Sequence, residues 1–156
     1  MSAENLHVGV IGATGAVGVE LINVMFDRNF PVGELTLFAS ERSAGKTVET
    51  KFGTKTVALF SVEEAKQCDI VFLAVSGDFA KEYGPKIAEG ALVIDNSSAF
   101  RLNDDVPLIV PEINGHLAKT AKLIANPNCT TAIAAVALWP LHQAFGLKKV
   151  IVSTYQ

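Results

Sequence analysis

Apolar residues occur along this chain in short runs that end at glycine-rich or small polar turns, with helically spaced stretches between them. The first run, residues 6–11, is followed by Gly12-Ala13-Thr14-Gly15-Ala16-Val17-Gly18. Val17, Leu21, Val24 and Met25 then recur on one helical face, and Asp27-Arg28-Asn29 closes that helix before Pro31. A second strand is predicted over 34–39, which completes a strand–turn–helix–strand unit, right-handed in nearly all proteins. Residues 47–60 alternate loosely and predict short strands, with Gly53 at a hairpin turn. Ser61 is an N-cap candidate with Glu64 at the third position of a short helix.

The continuous apolar runs 69–75 and 91–95 predict parallel strands covered on both faces, joined by a helix over about 79–89. A short strand is expected over 108–113, with Asn114 capping a helix that runs through Lys119, and another strand over 123–125. The stretch after Cys129 is apolar nearly all round, so it reads as a buried helix that Pro140 kinks or ends and Gly146 closes. Residues 148–156 read as the start of a new strand. The fold class implied is α/β, a doubly wound, mainly parallel Rossmann-type sheet with helices on both faces.

Composition narrows the picture only a little. Hydrophobic residues are 49% and charged residues 19% of the 156 positions, enough for a core in about one domain. A net charge of -3 gives no electrostatic reason to expect nucleic acid or a membrane surface. The apolar run 132–141 is far short of the ~20 residues that a bilayer crossing needs. The polar opening residues do not resemble a signal peptide, so a cytoplasmic location is expected. Two cysteines and three histidines without ligand spacing predict neither a disulfide framework nor a metal site.

Candidate chemistry lies where the predicted strands end. The first turn has GxxGxxG spacing between a strand and a helix, the context in which backbone N–H groups cradle a pyrophosphate. At the end of the second strand, Ser40, Arg42 and Ser43 suit a ribose 2′-phosphate, which favours NADP over NAD. Glu41 competes with that reading, but an extended segment would turn it away from Arg42. Ser76 and Gly77 form another small-residue turn at a strand's carboxyl end. Asn96-Ser97-Ser98-Ala99-Phe100-Arg101 suits an oxyanion, with Arg101 as the bidentate donor. Cys129 follows Asn126-Pro127-Asn128, at the first turn of a helix, where unpaired N–H groups and the helix dipole favour a nucleophilic thiolate. A cysteine is also often a small buried hydrophobe, and Cys68, just before an apolar strand, reads that way.

Those five stretches, in that order, resemble the N-terminal part of the aspartate-semialdehyde dehydrogenases. They are the glycine turn, Ser40 to Gly45, Asp95 to Arg101, Val110-Pro111-Glu112-Ile113-Asn114 and Asn126 to Thr131. The resemblance implies reversible, NADPH-dependent reductive dephosphorylation of β-aspartyl phosphate to aspartate semialdehyde, toward lysine, threonine and methionine. It implies catalytic roles for Cys129 as acyl-forming nucleophile and Gln156 as the residue that positions the acyl group. It also implies phosphate and substrate binding by Arg101 and Asn128. Cofactor contacts are implied for Gly12, Thr14, Gly15, Ala16 and Val17 at the pyrophosphate, and for Ser40, Arg42 and Ser43 at the 2′-phosphate.

Members of that family are about twice as long. Their second domain carries the catalytic histidine, further charged substrate residues and most of a dimer interface. His7, His116 and His142 stand outside the matching motif. Residues 1–128 are therefore expected to be an NADP-binding domain, and 129–156 the nucleophile helix and first strand of a truncated catalytic and dimerisation domain. The chain is expected to be catalytically incomplete alone, and the full-length protein a homo-oligomer acting on a small-molecule substrate. The N-acetyl-glutamyl-phosphate reductases share the acyl-phosphate chemistry, but usually have Gly-Cys at the nucleophile and Gly-Tyr in the glycine turn. Asn128-Cys129-Thr130 and Ala16-Val17 argue against them. A non-catalytic NADP-binding module is the alternative of a different class.

Overall fold

The computed structural model describes residues 5–155. Its sheet has six strands, every neighbouring pair parallel. The strands are β1 (Leu6–Ile11), β2 (Val32–Ala39), β5 (Ala58–Leu59), β6 (Ile70–Leu73), β7 (Leu92–Asp95) and β8 (Leu123–Ala125). A separate antiparallel hairpin, β3 (Thr47–Thr50) and β4 (Gly53–Thr56), lies between β2 and β5 in sequence.

Strand alternation distributes the core over both faces of the sheet. Val8, Val10, Leu35 and Leu37 point to one side, where they pack with Ile22 and Met25 of α1 (Ala16–Asp27). Ile11, Phe38, Val71, Leu73 and Val93 point to the other, against Ala65 of α2 (Val62–Ala65) and Ala80 and Ile87 of α3 (Gly77–Ile87). Each such fully buried aliphatic side chain is worth about 1.5–3 kcal/mol relative to exposure. This is the doubly wound arrangement expected from the continuous apolar strands.

Parallel strands place all their carboxyl ends on one edge. The chain winds outward from β1 in two directions, to β2 and β5 on one side and to β6, β7 and β8 on the other. The order therefore reverses between β1 and β6, and a crevice opens there, where such sheets take ligands.

Four details depart from the sequence pattern. Residues 108–113 do not form a strand: Leu108 makes a lone parallel bridge to Ala125, and Pro111 then opens α4 (Pro111–Asn114). Proline has no N–H for a ladder but suits the first helical position. Asn114 does not cap the 3₁₀ turn Gly115–Lys119; its amide reaches back to the Val110 N–H and the Leu108 carbonyl. The helix α5 (Cys129–Phe145) continues through Pro140 and has no buried residue, with Ile133 74% and Phe145 80% exposed. Its apolar pattern asks for burial, but α4 is the one element that packs substantially on it among the described residues. Residues 147–155 pair with no strand, and Ile151 and Tyr155 are exposed.

Candidate active site

The first turn is closed by backbone contacts that leave no room for side chains. Gly12 has φ +83, and a Cβ there would run into the Ala74 carbonyl. Gly18, buried on α1, lies against Gly12 and Ala13 in the same way. The helix thus sits directly on the strand end, and Gly15 is its N-cap. Thr14, Gly15, Ala16 and Val17 are exposed at that terminus, whose first turn carries no acidic side chain. The free N–H groups and positive dipole end suit a pyrophosphate.

Beside this turn is a cavity of ≈ 500 Å³, within the range of small-ligand sites. Thr14, Ser40, Glu41, Ser43 and Ser76 supply its polar lining. Leu59, Phe60, Val75 and Phe79 form an apolar wall that the sequence analysis did not single out. Phe60 meets Phe79 edge to face at 4.9 Å between ring centres, and Tyr83 packs behind both. A flat-sided apolar slot beside a polar rim suits a nucleoside. Leu59 ends β5, Phe60 follows it, and Val75 and Phe79 follow β6, so their position at carboxyl ends was the available signal.

Residues 40–44 form a turn, with the Ser43 and Ala44 N–H groups both donating to the Ser40 carbonyl. The alternation of an extended segment therefore does not apply. Glu41, expected to point away, lines the cavity, whereas Arg42 lies outside its walls. Arg42 makes no ion pair or hydrogen bond among the described residues. Gly77 also lies outside the lining, with its α-carbon facing Ser98 and Ala99 of the next loop. Ser76 caps α3 by accepting from the Phe79 N–H.

The loop after β7 is organised by Asp95, the buried charged residue of the core. Its carboxylate accepts from the Ser97 N–H at 2.9 Å and the Ser97 hydroxyl at 2.8 Å. Ser97 in turn accepts from the Ala99 N–H. Arg101 donates Nε–H to the Asn126 carbonyl and Nη2–H to the Asn96 carbonyl, each at 2.9 Å. The Asn126 amide donates to Asn96 Oδ1 at 2.8 Å, and the Asn126 N–H donates to the Asp95 carbonyl. The β7 and β8 loops are thus tied together around the guanidinium.

Three residues after Asn126, Cys129 opens α5 and is exposed. Asn128 is the N-cap, its side-chain oxygen accepting from the Thr130 N–H at 3.0 Å and from the Thr130 hydroxyl. Cys129 lies on the same sheet edge as the glycine turn and Arg101, but it is not part of the cavity wall. Cys68 is buried, and burial first, then Glu34 and Asp69, push its thiol up to about 11. Gln156 lies outside the described residues. His7 bonds Thr36 at the amino end of the sheet, and His142 stacks on Trp139 within α5. Among the described residues, no cluster of three His, Cys, Asp or Glu side chains is placed to hold a metal ion, and no helix is long and apolar enough to cross a membrane.

The family described as "Semialdehyde dehydrogenase, NAD binding domain" matches residues 7–121. A curated relative from Synechocystis, named aspartate-semialdehyde dehydrogenase, is 46% identical over 153 residues, which are 97% of this chain and 45% of the relative. A crystal structure of aspartate semialdehyde dehydrogenase II from Vibrio cholerae, complexed with ASA, superposes with a TM-score of 0.83 at 42% identity. It is matched over 93% of this chain and 49% of its own. The Candida albicans enzyme, solved with NADP, gives a TM-score of 0.68 at 26% identity, over 92% of this chain and 48% of its own. The chain therefore spans less than half the length of these relatives. Matched over most of its length and built around a glycine turn at the switch point of a parallel sheet, the chain belongs to the semialdehyde dehydrogenase family, with residues 7–121 matching its nicotinamide-dinucleotide-binding domain.

Proposed function

We propose that this chain provides the dinucleotide site and the nucleophile of an aspartate-semialdehyde dehydrogenase that uses NADPH to convert β-aspartyl phosphate into aspartate semialdehyde and phosphate. The observation that carries this reading is the exposed Cys129 at the start of α5, three residues after the Asn126 whose carbonyl accepts from Arg101, on the edge that holds the glycine turn. The names of the relatives, the ASA complex and the NADP complex support it.

In this reading the Gly12–Val17 turn holds the pyrophosphate, with Ser76 and Gly77 alongside. Ser40, Ser43 and the unpaired Arg42 hold the 2′-phosphate, which requires the Arg42 side chain to swing over the rim. Cys129 attacks the acyl carbon as a thiolate; the C–S bond forms, and the C–O bond to phosphate breaks with its electron pair leaving on phosphate. Arg101 meets the departing charge with N–H groups, and Asn128 lies against the same substrate. A bound reduced nicotinamide supplies a hydride, the two electrons that take the thioester carbon to the aldehyde and release the Cys129 thiolate. Gln156 positions the acyl group.

The division at 128/129 is part of the same proposal. The other long helices bury residues in the sheet's core, whereas α5 buries none, which supports its belonging to a catalytic and dimerisation unit of a homo-oligomer. A cytoplasmic location is likewise proposed.

The test is NADPH formation from aspartate semialdehyde, NADP and phosphate, with Cys129→Ala as control. Turnover that needs both phosphate and Cys129 is expected, in the chain itself or with the rest of a full-length relative supplied in trans. Turnover in neither setting, or turnover that survives Cys129→Ala, would overturn the proposal.

A further inference from the structure

Arg101 reaches its loop with one edge of the guanidinium only. Nε–H and Nη2–H, the two donors of the side-on edge, are both taken by backbone carbonyls, those of Asn126 and Asn96. A guanidinium has five N–H donors in a fixed plane. Three therefore remain, and two of them form the end-on fork of Nη1 and Nη2, for which no partner is present among the described residues. The plane and direction of that fork follow from the positions of the two carbonyls.

Those positions are set by side chains. Asn126 Nδ2 donates to Asn96 Oδ1 at 2.8 Å, bridging the two residues whose carbonyls grip the arginine. Asn96 Nδ2 is itself anchored on the Leu73 carbonyl at 3.1 Å, at the end of the central strand β6. The chain of contacts thus runs from the sheet through two amides to the guanidinium, and each asparagine uses both a side-chain and a main-chain group.

We propose that Asn96 and Asn126 are positioning residues that aim the end-on fork of Arg101 at a phosphoryl oxyanion, either inorganic phosphate or the phosphoryl group of an acyl phosphate. Neither asparagine touches the anion. Their bridge holds the carbonyl pair at the spacing that a guanidinium edge needs, so the fork is ordered before the anion arrives and less is lost on binding. The inference rests on the anion-holding role proposed for Arg101.

The test is titration of the purified chain with inorganic phosphate, followed by the Arg101 side-chain Nε–H resonance and the amide resonances of residues 96–101. Arg101→Ala, Asn126→Ala and Asn126→Asp are compared with the parent, and acetyl phosphate serves as the acyl-phosphate probe. Arg101→Ala is expected to abolish the response to both probes. Asn126→Ala is expected to weaken it by up to about tenfold, the effect of losing one neutral hydrogen bond, and to broaden the Nε–H resonance before any anion is added. Asn126→Asp, which has no N–H for Asn96 Oδ1, is expected to weaken it at least as much. NADPH binding measured by fluorescence should be unchanged in the Asn126 variants, which shows that they are folded. A parent that binds neither probe, or an Arg101→Ala chain that binds like the parent, overturns the reading of Arg101 and this inference with it. Loss in Arg101→Ala with parental binding and a sharp Nε–H in both Asn126 variants overturns the positioning role alone.

Discussion

The Cys68 sulfur lies 3.6 Å from His7 Nε2, inside the amino-terminal end of the sheet, while Cys129 is exposed where the strands end. The two thiols therefore occupy opposite poles of one parallel sheet. Brief iodoacetamide treatment of the native chain near pH 8 should alkylate Cys129 and leave Cys68 unmodified. Peptide mass spectrometry reads this directly, and equal labelling of both would contradict the buried placement of Cys68.

Cys68 also predicts an alkaline weakness. Burial raises its folded pKa to about 11, from a reference of 9.0. The group is an acid held protonated in the fold, so its contribution is intact below about pH 9 and is lost as pH rises through about 11. The loss should be on the order of 2 kcal/mol. Urea midpoints between pH 8 and pH 11 should fall in the parent and change less in Cys68→Ala. Parallel curves would refute the assignment.

Gly12→Ala should be strongly destabilising. The substitution meets a backbone carbonyl, that of Ala74, and a φ of +83, and neither relaxes through a rotamer change. A cost of about 2–4 kcal/mol is expected, from left-handed backbone strain plus forced displacement of the β6 end. Denaturation of the variant, with NADPH fluorescence titration, measures both consequences of moving that turn.

Asp95→Ala should cost about 1–3 kcal/mol, because the Ser97 N–H and hydroxyl both lose a charged acceptor at a half-buried turn. Asp95→Asn should be milder, since an amide can accept from that N–H and donate to the Ser97 hydroxyl. Urea denaturation that ranks the two variants equal would mean that the turn does not depend on this acceptor.

Arg42→Ala should weaken NADPH binding by about 10- to 100-fold and leave NADH binding nearly unchanged, since a charge-assisted contact to phosphate is lost and nothing else. Fluorescence titration with both nucleotides tests it. An equal effect on both would mean that Arg42 supports the turn rather than the 2′-phosphate.

What the sequence determined by itself was the winding of the sheet and the location of its ligand edge. Runs such as 70–75 and 91–94 are apolar throughout, the pattern of a strand covered on both faces, and they lead into Ser76-Gly77 and Asp95-Asn96. Local capping was legible as well: Ser61 accepts from the Glu64 N–H, and Gly146 ends α5 in the left-handed region. These features are encoded within a few residues of one another.

The tertiary structure decided what depends on distant partners. Arg101 is oriented by carbonyls at Asn96 and Asn126, which come together only when β7 pairs with β8. The apolar wall of Phe60 and Phe79 forms only where β5 and β6 bring their carboxyl ends to one cavity. Glu41 faces that cavity because residues 40–44 close into a turn, which residue alternation does not encode. The apolar run after Cys129 shows the same limit, since hydrophobicity states a demand for burial, and only packing against another surface meets it.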